Sequence, residues 1–79
     1  MPPSAEKISE SKTIQIVLNG DPRLVPEGLN VMELLVNLGV DPERVAVELN
    51  RAIVRQTEWP GRTVESGAIV EIVQFVGGG

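Results

Sequence analysis

The hydrophobic period of this chain changes along its length, and each change marks an element. From Thr13 to Leu18 the residues alternate, with Ile14, Ile16 and Leu18 on one side, as a half-buried strand requires. Asn19-Gly20-Asp21-Pro22 follows as a tight turn, because Asn-Gly adopts positive φ at little cost. Arg23-Leu24-Val25 returns as a short second strand ended by Pro26, completing a hairpin. The period then lengthens. Val31, Leu34, Leu35 and Leu38 recur at i, i+3, i+4 and i+7, the apolar stripe of a helix over 31–38. Asn30-Val31-Met32-Glu33 predicts an N-cap with a reciprocal capping box, and Gly39 stands where a left-handed C-terminal cap falls.

After a loop at Asp41-Pro42-Glu43 the shorter period resumes, with Val45, Val47 and Leu49 inward. Asn50-Arg51-Ala52 turns into a brief strand at Ile53-Val54. Residues 57–62 read as irregular or as a single helical turn pinned by Trp59, and Glu65-Ser66-Gly67 is a further turn. The last strand, Ala68 to Phe75, is the most apolar, which suits the middle of a sheet. The order ββαβ(β)β, with a right-handed crossover and the first and last strands adjacent and parallel, predicts an α+β fold. It is a β-grasp roll, a mixed sheet of four to five strands packed on one main helix. The expected organisation is a flexible extension at 1–12, one domain at 13–76 and a mobile glycine tail at 77–79.

Composition narrows the chemistry. With 79 residues the chain is one domain at most, and Trp59 and Phe75 are its only aromatics, so the core must be aliphatic. It has no Cys, hence no disulfide, thiolate nucleophile or sulfur-ligated metal. It has no His, the commonest general base and metal ligand. Its acids form no recognisable ligand set, so an unaided enzyme is not expected. A net charge of −4 without a basic stripe argues against nucleic acid and for a basic surface on a protein partner. No apolar run reaches the ~20 residues of a membrane span, and the polar residues 1–11 lack the apolar core of a secretory signal. The expected location is the cytosol, and the expected free state a monomer.

The chemistry then falls to the end of the chain. An apolar strand runs through Phe75-Val76 directly into Gly77-Gly78-Gly79. Without Cβ atoms this segment can pass a channel too narrow for side chains, and three residues reach at most about 10 Å. The α-carboxylate is inert as an electrophile until it becomes a mixed anhydride, for example by attack on the α-phosphate of ATP. It could then accept sulfur as a thiocarboxylate. Local composition alone leaves open a frayed or remnant end.

The stretch Glu71-Ile72-Val73-Gln74-Phe75-Val76-Gly77-Gly78-Gly79 resembles the C-terminal signature of the ThiS family, sulfur carriers of thiamin thiazole biosynthesis within the ubiquitin-like β-grasp superfamily. Asn19-Gly20, Asn30 to Leu35, and Val45 to Asn50 followed by Ile53-Val54 and Trp59 are similar to the same family, so the resemblance spans about residues 13–79. Glu65-Ser66-Gly67-Ala68 departs from the family's acidic Asp-Gly-Asp turn, and the extension at 1–12 exceeds its usual length. The resemblance implies adenylylation of Gly79 by an E1-like (ThiF-type) adenylyltransferase consuming ATP and magnesium, with no cofactor bound by the carrier itself. It further implies sulfur supply from a cysteine desulfurase relay and delivery to a ThiG-type thiazole synthase. Sulfur carriers for molybdopterin or cysteine synthesis, a ubiquitin-like protein modifier and an inert interaction module are the alternatives.

Strand alternation also suggests a docking face. Val17, Ala46, Val73 and Phe75 would form an exposed apolar patch beside Glu48 and Glu71, leading through Val76 to the tail. The alternative is that Val73 and Phe75 merely cover the rim of the core. Trp59 reads as a loop anchor, and Arg51 and Arg55 as solvated charges.

Overall fold

In a computed structural model, residues 12–75 are described. The first hairpin consists of β1 (Thr13–Leu18) and β2 (Asp21–Pro26). Asn19 and Gly20 both take positive φ, 49° and 87°, the conformation of the two-residue turns that match strand twist. β2 is longer than the expected Arg23-Leu24-Val25. Asp21 and Pro22 belong to it, and Pro26 is its last residue. Proline is tolerated there because β2 is an edge strand, pairing only with β1.

The helix α1 (Val31–Leu38) begins and ends where its local signals lie. The Asn30 side chain accepts from the Glu33 amide at 2.8 Å, and the Glu33 carboxylate accepts from the Asn30 amide at 3.0 Å. At the other end Gly39 has φ 77°, and the Gly39 and Val40 amides donate to the Val36 and Leu35 carbonyls. These bonds satisfy groups that a helix terminus leaves open. A 3-10 turn at Pro42–Arg44 then leads into β3 (Val45–Leu49). β4 (Ala52–Val54) starts one residue earlier than expected, because Asn50 and Arg51 alone make the turn, both with positive φ.

Of the two readings for 57–62, irregular or a single helical turn, the structure has the helical one, a 3-10 turn at Gln56–Gly61. Trp59 is its buried anchor, its indole N–H donating to the Val54 carbonyl at 2.9 Å. The last strand, β5 (Ile69–Gln74), is one residue shorter at each end than the sequence suggests. The sheet order is β2-β1-β5-β3-β4. β5 is central, parallel to β1 and antiparallel to β3, as the β-grasp roll requires. One face of the sheet, with Ile16, Val25, Val47, Leu49 and Val70, packs with Val31, Leu34 and Leu35 of α1 into an aliphatic core. No buried side-chain polar atom lacks a partner among the described residues. The expected extension at 1–12 falls almost wholly outside the described residues. So do Val76 and the tail at 77–79.

The open sheet face and the root of the tail

The helix covers only one side of the sheet. Along β5, Ala68 and Val70 point into the core, so Ile69, Glu71 and Val73 point out of the opposite face. Cross-strand register brings Ala46 beside Val73, and Glu48 beside Glu71, with Ile53 next to Glu48. Val73 and Phe75 are 60% and 55% exposed, so they do not merely close the rim of the core. Ala46, Val73 and Phe75 form the apolar end of the face from which the chain continues toward its glycines.

Val17 does not join them. It pairs with Ile69 at the opposite end of β5 and is half-buried. Four residues, about 13 Å at strand rise, separate Ile69 from Val73. The expected single patch is therefore two. Val17 with Ile69 and Pro22 forms one, Ala46 with Val73 and Phe75 the other, and Glu48 and Glu71 stand between them. Two carboxylates directly opposed on neighbouring strands repel each other. Among the described residues the one ion pair is Arg44 with Asp41, 3.8 Å apart and far from compensating them.

Sequence reasoning missed Ile53, 74% exposed, and Leu24, 64% exposed. Leu24 lies opposite Gln15 on the same outer face. Strict alternation could have placed Ile69 and Leu24 outward. Ile53 depends on the β3–β4 register, which three residues of strand do not reveal.

β5 is held at its root by two asparagines that sequence reading assigned only to turns. The Asn19 carboxamide accepts from the Ile72 amide at 2.8 Å and donates to the Ile72 carbonyl at 3.3 Å, as a neighbouring peptide group would. Asn50 accepts from the Ile69 amide through its side chain, and its own amide donates to the Ile69 carbonyl. Both residues sit in the left-handed region, which Asn adopts more readily than most. On the β3 side the Phe75 amide donates to the Arg44 carbonyl at 2.7 Å, keeping the chain aligned to the last described residue.

No group of three or more His, Asp or Glu side chains among the described residues could hold a metal. The geometry supplies an anchored central strand and an open apolar and acidic face beside it. Val76 and Gly77 to Gly79, the expected reactive end, lie outside the described residues.

A five-stranded mixed sheet in this order packed on one helix is the ubiquitin-like β-grasp class of domain. More particularly, the chain belongs to the ThiS family, which matches residues 16–79. The crystal structure of ThiS from Geobacter metallireducens superposes with a TM-score of 0.74 at 40% identity, covering 84% of this chain and 100% of that one. The sulfur carrier protein ThiS of Thermus thermophilus is 40% identical over 62 residues, 78% of this chain and 95% of the relative. A thiazole synthase of Magnetococcus marinus is 38% identical over 66 residues, which is 84% of this chain but only 20% of the synthase. The chain thus spans about a fifth of that longer relative.

Proposed function

We propose that the chain is a sulfur carrier of thiamine biosynthesis that works as a co-substrate of partner enzymes, with the Gly79 carboxylate as its reactive group. Family membership and the Thermus relative support the carrier role. The observation that supports the mechanism is the double asparagine clamp on β5 at Ile69 and Ile72, followed in the chain by the exposed Val73 and Phe75 and then by the glycines. An E1-like adenylyltransferase, using ATP and magnesium, joins the carboxylate to AMP with loss of pyrophosphate. A persulfide of a cysteine desulfurase relay then displaces AMP to leave an acyl disulfide at Gly79. A thiol cleaves its S–S bond to form a new disulfide and release the thiocarboxylate, which is delivered to a thiazole synthase. Gly77 and Gly78 give the tail a profile narrow enough for both active sites.

Choice of a thiazole synthase as acceptor rests on the Magnetococcus relative, in which a region similar to this chain forms part of a protein named for that activity. Ala46, Val73, Phe75 and Val76 form the docking surface nearest the tail, and Val17 contributes from the far patch. Glu48 and Glu71 favour a partner with a cationic side chain between its apolar contacts. No helix among the described residues is long and apolar enough to cross a membrane, and a cytosolic site of action suits this chemistry.

Reconstituted transfer tests the proposal. The wild-type chain, with ATP, magnesium, an E1-like enzyme and a sulfur donor, should support product formation by a thiazole synthase. A chain lacking Gly79 should support none. Sulfur transfer by the shortened chain would refute the assignment, and preferential delivery to molybdopterin synthase would move the chain to that branch.

A further inference from the structure

The central strand outruns one of its neighbours. β1 and β5 pair at only Val17–Ile69 and Leu18–Val70 before β1 turns back at Asn19-Gly20. Along β5 the peptide groups facing β1 are those of alternate residues. The Ala68 and Val70 carbonyls accept from the Val17 and Asn19 amides, and the Ile72 peptide groups are met by the Asn19 side chain. The next in this alternation are the amide and carbonyl of Gln74. Across β5, Gln74 faces Val45 at a position whose ladder bonds are made by its neighbours, as the Phe75 amide donating to Arg44 shows. Among the described residues nothing bonds the Gln74 peptide groups on the β1 side. Gln74 is exposed.

We propose that this open edge of β5 receives an extended backbone segment of the thiazole synthase, which pairs with β5 at Gln74 and continues the sheet alongside the emerging tail. An unpaired strand edge is a template for another strand, with main-chain bonds supplying affinity and neighbouring side chains supplying selectivity. Asn19 makes the edge usable, since its carboxamide completes the ladder up to Ile72 and leaves the next rung open. The occupant must be extended, because only extended backbone presents its N–H and C=O groups in step with those of a strand edge. The choice of a synthase as its source rests on the function proposed above, and on the longer relative that contains a region similar to this chain. Pairing at this point would aim the last residues before they enter the acceptor's site, which a side-chain patch alone does not do.

Amide hydrogen exchange of the full chain, free and with a purified thiazole synthase, reads this directly. The Gln74 amide should exchange as an open amide in the free chain and at least tenfold more slowly in the complex. Gln74→Pro removes only that amide and suits an extended preceding residue, so it should keep the fold and bind the synthase about five- to tenfold more weakly. Gln74→Ala should bind as wild type. If the chain binds no thiazole synthase, the proposed function itself fails. If it binds while Gln74 exchange is unchanged, or is slowed only by the adenylylating enzyme, the strand-pairing proposal is overturned and the carrier function stands. Equal losses in the proline and alanine variants would also overturn it, by assigning the effect to the side chain.

Discussion

The two faces of the sheet are built from the same strands and obey opposite rules. On the inner face Val47, Leu49 and Val70 are almost wholly buried against α1 and hydrocarbon meets hydrocarbon. On the outer face the register that aligns those residues aligns Ile53, Glu48 and Glu71 instead, exposed and with two carboxylates side by side. A strand alternates its faces without choice, so the sequence could have placed Thr, Lys or Ser at the outer positions at no cost to the core. Exposed Ile, Val and Phe add at most about 1 kcal/mol each of strand propensity to the free domain, and the opposed acids subtract from it. The inner face maintains the fold, and the outer face is the one the proposed function assigns to a partner.

That contrast predicts separable mutational effects. The largest lies inside. Trp59→Ala empties a buried site and strands the Val54 carbonyl, and should cost about 3–5 kcal/mol in a denaturant titration, enough to unfold much of so small a domain. A loss under about 1 kcal/mol would show that the 3-10 turn is not part of the core. Val73→Asp on the outer face should cost at most about 1 kcal/mol of stability. Its binding to the adenylylating enzyme should nonetheless weaken at least tenfold in calorimetry. Unaltered binding would remove Val73 from the docking surface. The smallest effect is electrostatic. Glu71→Gln relieves the repulsion with Glu48 and should raise stability by a few tenths of a kcal/mol, and the variant should gain less than wild type from added salt. An unchanged salt response would mean that the two carboxylates turn away from each other in solution.

How much of this was legible in the sequence follows from the range of the forces involved. The helix was readable to the residue, because its stripe, the Asn30–Glu33 capping box and the Gly39 cap all act within a turn or two of chain. The Asn19-Gly20 turn was readable for the same reason. The clamp that Asn19 places on Ile72 was not, because it joins residues 53 positions apart and nothing in a local window marks an asparagine as a surrogate peptide group. Nor was the division of the docking face in two. Alternation identifies Val17 and Val73 as outward residues, but only the parallel register of β1 against β5 shows that they lie at opposite ends. Ile53 escaped notice because a three-residue strand carries too little pattern to fix its partner. Residues whose roles arise from pairing between distant strands become visible only once the sheet is assembled.

The central claim is that the end of the polypeptide is the working group and the domain exists to present it. Intact-mass measurement of the full chain after incubation with ATP, magnesium, an E1-like adenylyltransferase and a sulfur donor tests this most directly. The account predicts replacement of a single oxygen by sulfur, located at Gly79 by fragmentation and lost when that residue is deleted. An unchanged mass, or sulfur located at another residue, would contradict it.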